Sequence, residues 1–456
     1  MRKLLIANRG EIAVRIARAA REQGIATVAV YSEADAGAEH VKSADEAVLV
    51  GPPPASASYL NTENLLRAIT DSGADAVHPG YGFLSENAEF AEAVIDAGVV
   101  WVGPSPSAIR EMGDKVAARK SAQAAGVPTV PGSDGAVADA DEVRTVIDRI
   151  GFPVAIKAAA GGGGRGIRIV EAAADLPAAI STAQAEARAA FGSDAVYLER
   201  FVPRARHIEV QVFGDGERAV HLGLRDCSVQ RRRQKIIEEA GELRLPDSAA
   251  QGMCNSAVAL TAAVNYRGAG TVEYLYDEVR GEYYFIEMNT RIQVEHPVTE
   301  MVYGQDLVGE QLRVAAGQPL SFTQEELRPR GHAIEVRINA ENAAMGFLPS
   351  PGTIERLDLP GGPFVRVDSG ITSGSAVAPY YDSMLAKVIV WGIDRPTALA
   401  RLLRALGELR VEGVVTTAEF VESVLRTPEF GAGDFHTTWL EPWMAERAAA
   451  EGHAHV

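Results

Sequence analysis

Between positions 285 and 297 the chain reads FIEMNTRIQVEHP. Taken in steps of two, Glu287, Asn289, Arg291, Gln293 and Glu295 alternate with Ile286, Met288, Thr290, Ile292 and Val294, the period of a β-strand with one polar and one apolar face. A merely solvated face favours Thr and Lys, whereas Asn is a poor strand former, so this row of polar groups points to a ligand. Upstream, 270–276 is a second β-rich run, and the polar segment 277–282 connects it to 283–286, which predicts a hairpin. With the turn centred near Arg280, antiparallel pairing sets Glu273 opposite Glu287, their Cβ atoms roughly 5 Å apart. Opposed carboxylates destabilise a sheet unless a cation lies between them. Hard divalent ions take oxygen ligands, which makes Glu273, Glu287 and Asn289 candidate ligands for a metal such as Mg²⁺. On a straight strand Glu287 and Glu295 would lie roughly 26 Å apart. Either the chain bends after Asn289, or the row serves a long site with metal and phosphate at one end and a second reactant near Arg291 and Glu295. His296 precedes Pro297, which favours extended backbone and ends the strand there.

The rest of the pattern divides the chain into three units. In the first, 1–114, short apolar runs at 3–7, 27–31, 76–78 and 99–103 alternate with helical periodicity, beginning with a helix over 11–23 closed by Gly24. This predicts a parallel, doubly wound α/β layout. The turn at Asn8-Arg9-Gly10-Glu11 lacks the glycine fingerprint of a dinucleotide site. HPGYGFLSEN, from His78, follows a strand, where ligands gather in such sheets, though a plain Gly/Pro turn reads the same way.

The second unit, 115–330, opens with a helix from Lys115 to near Gly126 and a linker over 127–135. Two strands, 154–158 and 167–170, flank the run GGGGRG at 161–166. Glycines let backbone amides approach phosphate oxygens, and Lys157 and Arg165 add charge, although flexible hairpin linkers look similar. A helix over 172–190 and a strand over 196–202 complete this small body. From 207 to 213, His207, Glu209 and Gln211 alternate with apolar residues, His207 being either a ligand or a hydrogen-bonded structural residue. QRRRQK at 230–235 is the densest positive cluster and is expected to form an anion-binding loop. Helices are expected over 247–264 and 306–316. The third unit, 331–445, is α+β: a strand over 333–339 puts Glu335, Arg337 and Asn339 on one face, a strand ends near Trp391, and a helix follows over 396–409. The tail 446–456 is expected to fray.

With 456 residues the chain has room for about three domains. A net charge of −17 lacks the basic footprint of nucleic-acid binding. No apolar run is long enough to span a membrane, and Asn8-Arg9-Gly10-Glu11 interrupts the first one too early for a signal peptide. Two cysteines, Cys227 and Cys254, exclude a disulfide scaffold and favour a reducing, cytoplasmic setting.

Taken together, HPGYGFLSEN, MGDK ending at Lys115, RDCSVQRR from Arg225, YRGAGTVEY from Tyr266, IEMNTRIQVEHPVTE from Ile286, RINAE from Arg337, FLPSPG from Phe347 and YYDSM from Tyr380 resemble the biotin carboxylase family of the ATP-grasp superfamily. The resemblance implies a doubly wound, Rossmann-like N-terminal domain, a small lid at about 131–203 hinged over ATP, and a main body sharing the site with the C-terminal domain.

It also implies roles. Lys115 and Lys157 would hold ATP phosphates, the loop with Gly163 and Gly164 would close over them, Glu199, Arg200 and Val202 would meet the nucleotide at the hinge, and His207 and Arg233 would lie beside it. Glu273, Glu287 and Asn289 would bind two Mg²⁺ or Mn²⁺ ions, with Glu273 and Glu287 also facing ATP. Arg291, Gln293 and Val294 would hold bicarbonate near Lys235, Glu295 would be its general base, and Arg337 would stabilise the biotin enolate. The implied reaction forms carboxyphosphate from bicarbonate and ATP; its breakdown gives CO₂ and a phosphate that deprotonates the ureido nitrogen of biotin. Arg233 replaces the family's usual His, Ala159-Ala160 replace a Ser and a Gly, and Gly241-Glu242-Leu243 replaces a Pro-rich stretch. There is no Ala-Met-Lys-Met biotinylation motif and no carboxyltransferase region, so the expected partners are a biotinyl carrier protein and a carboxyltransferase in trans, with a homodimer as the family's common state. Two rival expectations are an ATP-grasp ligase with another acid or acceptor, and a nucleotide-binding scaffold protein without catalysis.

Overall fold

The computed structural model describes residues 1–133, 135–137, 140–158, 167–191 and 194–453. The glycine run, with Gly163, Gly164 and Arg165, and the pair Ala159-Ala160 lie outside the described residues.

Strands β1 (Lys3–Ile6), β2 (Ala26–Ser32), β3 (Glu46–Gly51), β4 (Ala76–His78) and β5 (Val100–Trp101) form a parallel sheet in the order β3-β2-β1-β4-β5. The helix Gly10–Glu22 turns Ile12, Ile16 and Ala20 into the core beneath it. The strand order reverses between β1 and β4, and a crevice opens beyond their carboxyl ends, as in other doubly wound sheets. Asn8 closes the floor of that crevice by donating from Nδ2 to the carbonyls of Pro79 at 2.7 Å and Tyr81 at 2.8 Å. Gly80 must be glycine: its φ is +63°, and a Cβ there would stand 2.8 Å from Asn8 Nδ2.

A small antiparallel sheet follows, β6 (Val154–Ala158), β7 (Ile167–Val170) and β8 (Val196–Arg200), in the order β7-β6-β8. Its own core includes Val146, Ile150, Val154, Ile156, Val196 and Leu198, packed with the helices Ala140–Ile150 and Leu176–Phe191.

The main body is built on one eight-stranded antiparallel sheet. It comprises β9 (Ala205–Asp215), β10 (Ala219–Arg231), β11 (Gln234–Ala240), β12 (Arg267–Asp277), β13 (Glu282–Asn289) and β14 (His332–Asn339), with two further strands, Met384–Gly392 and Val365–Ser369. The order is β13-β12-β9-β10-β11-β14, then Met384–Gly392, then Val365–Ser369. The C-terminal unit therefore joins the body through β14 on β11. The helix Asp247–Ala263, which buries Met253, Cys254, Ala257 and Leu260, packs on β9 and β10, and the helix Arg395–Glu408 covers the other end of the sheet.

Three expectations change. The strand read over 285–297 stops at Asn289, the chain turns through 290–295, and a helix, His296–Tyr303, begins where extended backbone was expected. Pro297 fits there because a missing N–H costs nothing in the first helical turn. The basic run 230–235 is a tight hairpin rather than a loop: β10 continues to Arg231, β11 starts at Gln234, and Arg232 and Arg233 make the turn with φ of 46° and 68°. Strand alternation then parts the charges. Finally, the helix Leu440–His453 continues through the first part of the expected frayed tail.

Candidate active site

The turn after Asn289 folds the polar row of 287–295 back on itself. Gln293 Nε2 and Asn289 Nδ2 each donate to Glu273 Oε1 at 2.8 Å, so residues from both sides of the turn meet one carboxylate. Across β12 and β13, Glu273 pairs with Glu287 and Thr271 with Asn289.

Lys235 reaches into this cluster from β11. Its Nζ lies 2.7 Å from Glu295 Oε1 and 3.1 Å from Glu273 Oε1, and it also pairs with Glu209. Behind it, Arg225 is fully buried and bonded on every side: to Glu209 at 3.0 Å, Gln211 at 2.6 Å, Thr271 at 2.9 Å, Gln293 at 2.8 Å and Thr299 at 3.1 Å. His207 Nε2 lies 2.9 Å from Glu273 Oε2, while its Nδ1 meets Gln230 Nε2 at 2.8 Å. Arg337 Nη2 lies 3.0 Å from Glu295 Oε2, and its Nε donates to Glu238 at 2.6 Å. Arg291 spans Glu86, at 2.8 Å, and Asn289 Oδ1, at 2.9 Å.

These neighbours fix the charge of each group. Burial would raise the Glu295 carboxyl, but Lys235, Arg337 and Arg225 outweigh it and hold the group below the ordinary carboxylate range. Glu209 and Glu273 are likewise lowered against burial, chiefly by Lys235. Burial lowers the His207 imidazole, yet Glu273 and Glu209 lift it to about 9, which favours its charged form. Glu287 departs the other way: burial and then Glu273 raise it, and Lys115 and His207 do not offset them. Glu287, short of positive charge and opposed to Glu273, leaves a carboxylate pair that fits a hard divalent cation, with the Asn289 amide alongside turning its N–H to Glu273 and its oxygen to Arg291. His207, Glu209 and Glu273 also offer ligand atoms within 4.8 Å of one another, but the cations around Glu209 already satisfy that face.

A cavity of about 450 Å³ opens beside the cluster. Lys235, Arg291, Val294 and Arg337 line it, as do Tyr81, Gly82 and Phe83 from the loop after β4. The His78 stretch is thus part of the site.

The nucleotide-side candidates stand apart from these. Lys157 of β6 pairs with Glu199 of β8, which also takes Arg119 at 3.1 Å. Lys115 is exposed at the start of the helix Lys115–Ala124, capped by Asp114, whose side chain accepts from the amides of Val116 and Ala117 at 2.9 Å. Val202 is buried against Ala205 and Tyr284. Arg200 instead ties β8 to the hairpin, with Nη1 on Tyr284 Oη at 2.8 Å and Glu282 at 3.2 Å. Arg233 lies in the hairpin turn, exposed.

Family models match almost end to end: Biotin carboxylase, N-terminal domain over residues 1–109; Carbamoyl-phosphate synthase L chain, ATP binding domain over 114–323; and Biotin carboxylase C-terminal domain over 335–442. Biotin carboxylase 1 of Bacillus subtilis is 52% identical over 97% of this chain and 99% of its own length. The chain belongs to the biotin carboxylase family. A pyruvate carboxylase component of Methanothermobacter thermautotrophicus is 48% identical over 97% of this chain and 90% of its own length. The biotin carboxylase domain dimer of Hydrogenobacter thermophilus 2-oxoglutarate carboxylase, solved with MgADP, ADP and bicarbonate, superposes with a TM-score of 0.88 at 46% identity, covering 97% of each chain.

Sequence reasoning missed several groups that this biotin carboxylase fold brings in: Glu209, Arg225, Glu238 and Glu86. Glu209 lay on a recognised polar strand face and Arg225 in a recognised motif, but neither position says what it will meet. No helix of the described residues is long and apolar enough to cross a membrane.

Proposed function

We propose that this chain carboxylates biotin carried on a separate protein, using ATP and bicarbonate and releasing ADP and phosphate. The observation that carries this reading is Glu295, held ionised between Lys235 and Arg337 beside a cavity walled by Arg291, Val294 and those same two cations.

In this reading Arg291, Gln293, Val294 and Lys235 seat bicarbonate, and Glu295 takes its proton. Lys235 and Arg337 keep that carboxylate ionised and aimed, so it is free to accept a proton although the same cations lower its basicity, and its contribution is one of positioning. The bicarbonate oxygen attacks the γ-phosphorus, the bond to the β-phosphate oxygen breaks, and ADP leaves. Lys115 and Lys157 steady the phosphates, and Glu199, Arg200, Val202, His207 and Arg233 lie along the nucleotide. Cleavage of carboxyphosphate yields CO₂ and phosphate; phosphate takes the ureido N–H proton, Arg337 steadies the resulting enolate, and the nitrogen attacks CO₂. Glu273, Glu287 and Asn289 would hold Mg²⁺ or Mn²⁺, which when bound neutralises charge on the phosphates.

The domain division read as 1–114, 115–330 with a lid at about 131–203, and 331–445 is supported for the first unit and the lid by their separate sheets, and for the boundary near 330, which the eight-stranded sheet crosses, by the bounds of the family matches alone. A biotinyl carrier and a carboxyltransferase are the partners, and the dimer of the Hydrogenobacter thermophilus domain supports a homodimer here. Relatives named for different carboxylases fit a choice of final acceptor made by the partner. The free, buried Cys227 and Cys254 fit a reducing cytoplasm.

The test is ADP release by the purified chain with Mg²⁺ and ATP. Stimulation that needs both bicarbonate and free biotin is expected. Release indifferent to both would overturn the reading.

A further inference from the structure

Lys387 is wholly buried and has no part in the chemistry above. It lies on the strand Met384–Gly392, opposite Arg337 of β14 on one side and Asp368 on the other. A buried ammonium is costly unless its donors are matched, so its acceptors indicate what it is there to hold. Nζ donates to the Val294 carbonyl at 2.8 Å, lies 3.1 Å from Glu11 Oε1 and is 3.8 Å from Asp368 Oδ2. Those three groups come from the bend after Asn289, the N-terminal helix Gly10–Glu22 and the C-terminal unit. Glu11 in turn accepts the Tyr81 hydroxyl.

The two ends of this relay converge on the substrate cavity, since Val294 and Tyr81 both line it. Side chains hold the carbonyls of the bend. Arg291 Nη1 donates to that of Ile292 at 3.3 Å, His296 Nδ1 meets that of Gln293 at 2.8 Å, and Lys387 takes that of Val294. Arg337, which touches Glu295, shares a sheet register with Lys387, so the lysine is anchored to the same rigid strands as the cation it serves beside. The nucleotide-side groups Lys115, Lys157 and Glu199 have no hydrogen bond or ion pair with Lys387, Glu11 or Tyr81 among the described residues.

We propose that Lys387 is a positioning residue for bicarbonate and biotin, fixing the Val294 carbonyl directly and the Tyr81 hydroxyl through Glu11. The inference rests on the carboxylation reading above. A lysine that merely stapled the domains together would affect every substrate alike; a positioning lysine affects one side of the site.

The experiment compares the full chain with Lys387→Met and with the charge-balanced double variant Glu11→Gln, Lys387→Met, using ADP release with varied bicarbonate, free biotin and ATP, and thermal melting alongside. In a folded variant kcat/KM for bicarbonate and biotin should fall by about ten- to a hundredfold, the effect of a small misplacement of bound reactants, while KM for ATP stays unchanged. If Lys387→Met does not fold, the double variant is read in its place. Unchanged kcat/KM for both substrates, an equal rise in KM for ATP, or failure of both variants to fold would overturn the proposal. An unsubstituted chain without bicarbonate- and biotin-dependent ADP release overturns the underlying reading itself, and is recognised before any variant is made.

Discussion

Glu273 and Glu287 face each other across β12 and β13 because Ile286, the residue between Phe285 and Glu287, is bulged out of the pairing. From the turn inward the partners run Asp277 with Glu282 to Tyr274 with Phe285; the next regular step would put Ile286 opposite Glu273. The register slips there instead, and Ile286 is left 41% exposed. A bulge that re-aims a side chain at a functional edge is a recurrent device.

Because Glu287 is raised by burial and by Glu273, its ionised form is disfavoured until a cation shares the pair. Glu287→Gln should therefore weaken direct Mn²⁺ binding by about tenfold or more while leaving the urea midpoint equal or higher, since repulsion is relieved. Mn²⁺ affinity equal to that of the unsubstituted chain would remove Glu287 from the ligand set.

Glu295→Gln keeps the shape of the side chain and deletes the proposed base. Bicarbonate-dependent ADP release should drop by roughly 10²- to 10⁴-fold with ATP binding retained, as measured by turnover and by nucleotide titration. Near-normal turnover would sink the assignment.

Lys157 pairs with Glu199 on the small sheet, away from Glu295's partners. Lys157→Ala should raise KM for ATP by about tenfold or more, the usual worth of a charge-assisted bond, and leave KM for bicarbonate as it was. A matched rise in both would show that the small sheet and the acid site are not separable.

Among the described residues, Arg225 is the one cation that touches Glu209, Gln211, Thr271, Gln293 and Thr299 together. Arg225→Met leaves Glu209 with Lys235 and His207 alone, and a loss of about 3–5 kcal/mol is expected from breaking a buried pair. A urea midpoint within error of the unsubstituted chain would contradict the role of this arginine as the buried support of the cluster.

Glu238 gives a pH signature. Burial lifts its carboxyl to about 7 despite Arg337. A folded-state pKa above the unfolded one means that the native state binds the proton more tightly, so stability from this group is full below the ordinary carboxylate pKa and is lost as pH rises toward 7. Relative to Glu238→Gln, the unsubstituted chain should lose up to about 3 kcal/mol between about pH 4.5 and 7. Parallel urea midpoints for the two proteins across that range would show that Glu238 does not titrate there.

The local pattern of the sequence determined a good deal. The 3–7 and 27–31 runs, the hairpin of 270–289 and the polar face of His207, Glu209 and Gln211 follow from period-two alternation, which is a property of neighbouring residues, whereas the opposition of Glu273 and Glu287, expected from a regular hairpin centred near Arg280, is reached through the bulge at Ile286. The motifs carried the family. Local pattern does not decide the bend after Asn289, because alternation continues through residues that are no longer strand, nor the helix at His296, because its proline favours either an extended entry or a first helical turn. What tertiary structure alone decided is which faces meet. Arg225 finds Gln293 across 68 positions and Lys387 finds Val294 across 93, because the sheet is ordered β13-β12-β9-β10-β11-β14 and not in chain order. That order is set by packing of whole faces against helices, and so no single stretch records that a lysine of the C-terminal unit holds the carbonyl of a residue lining the cavity.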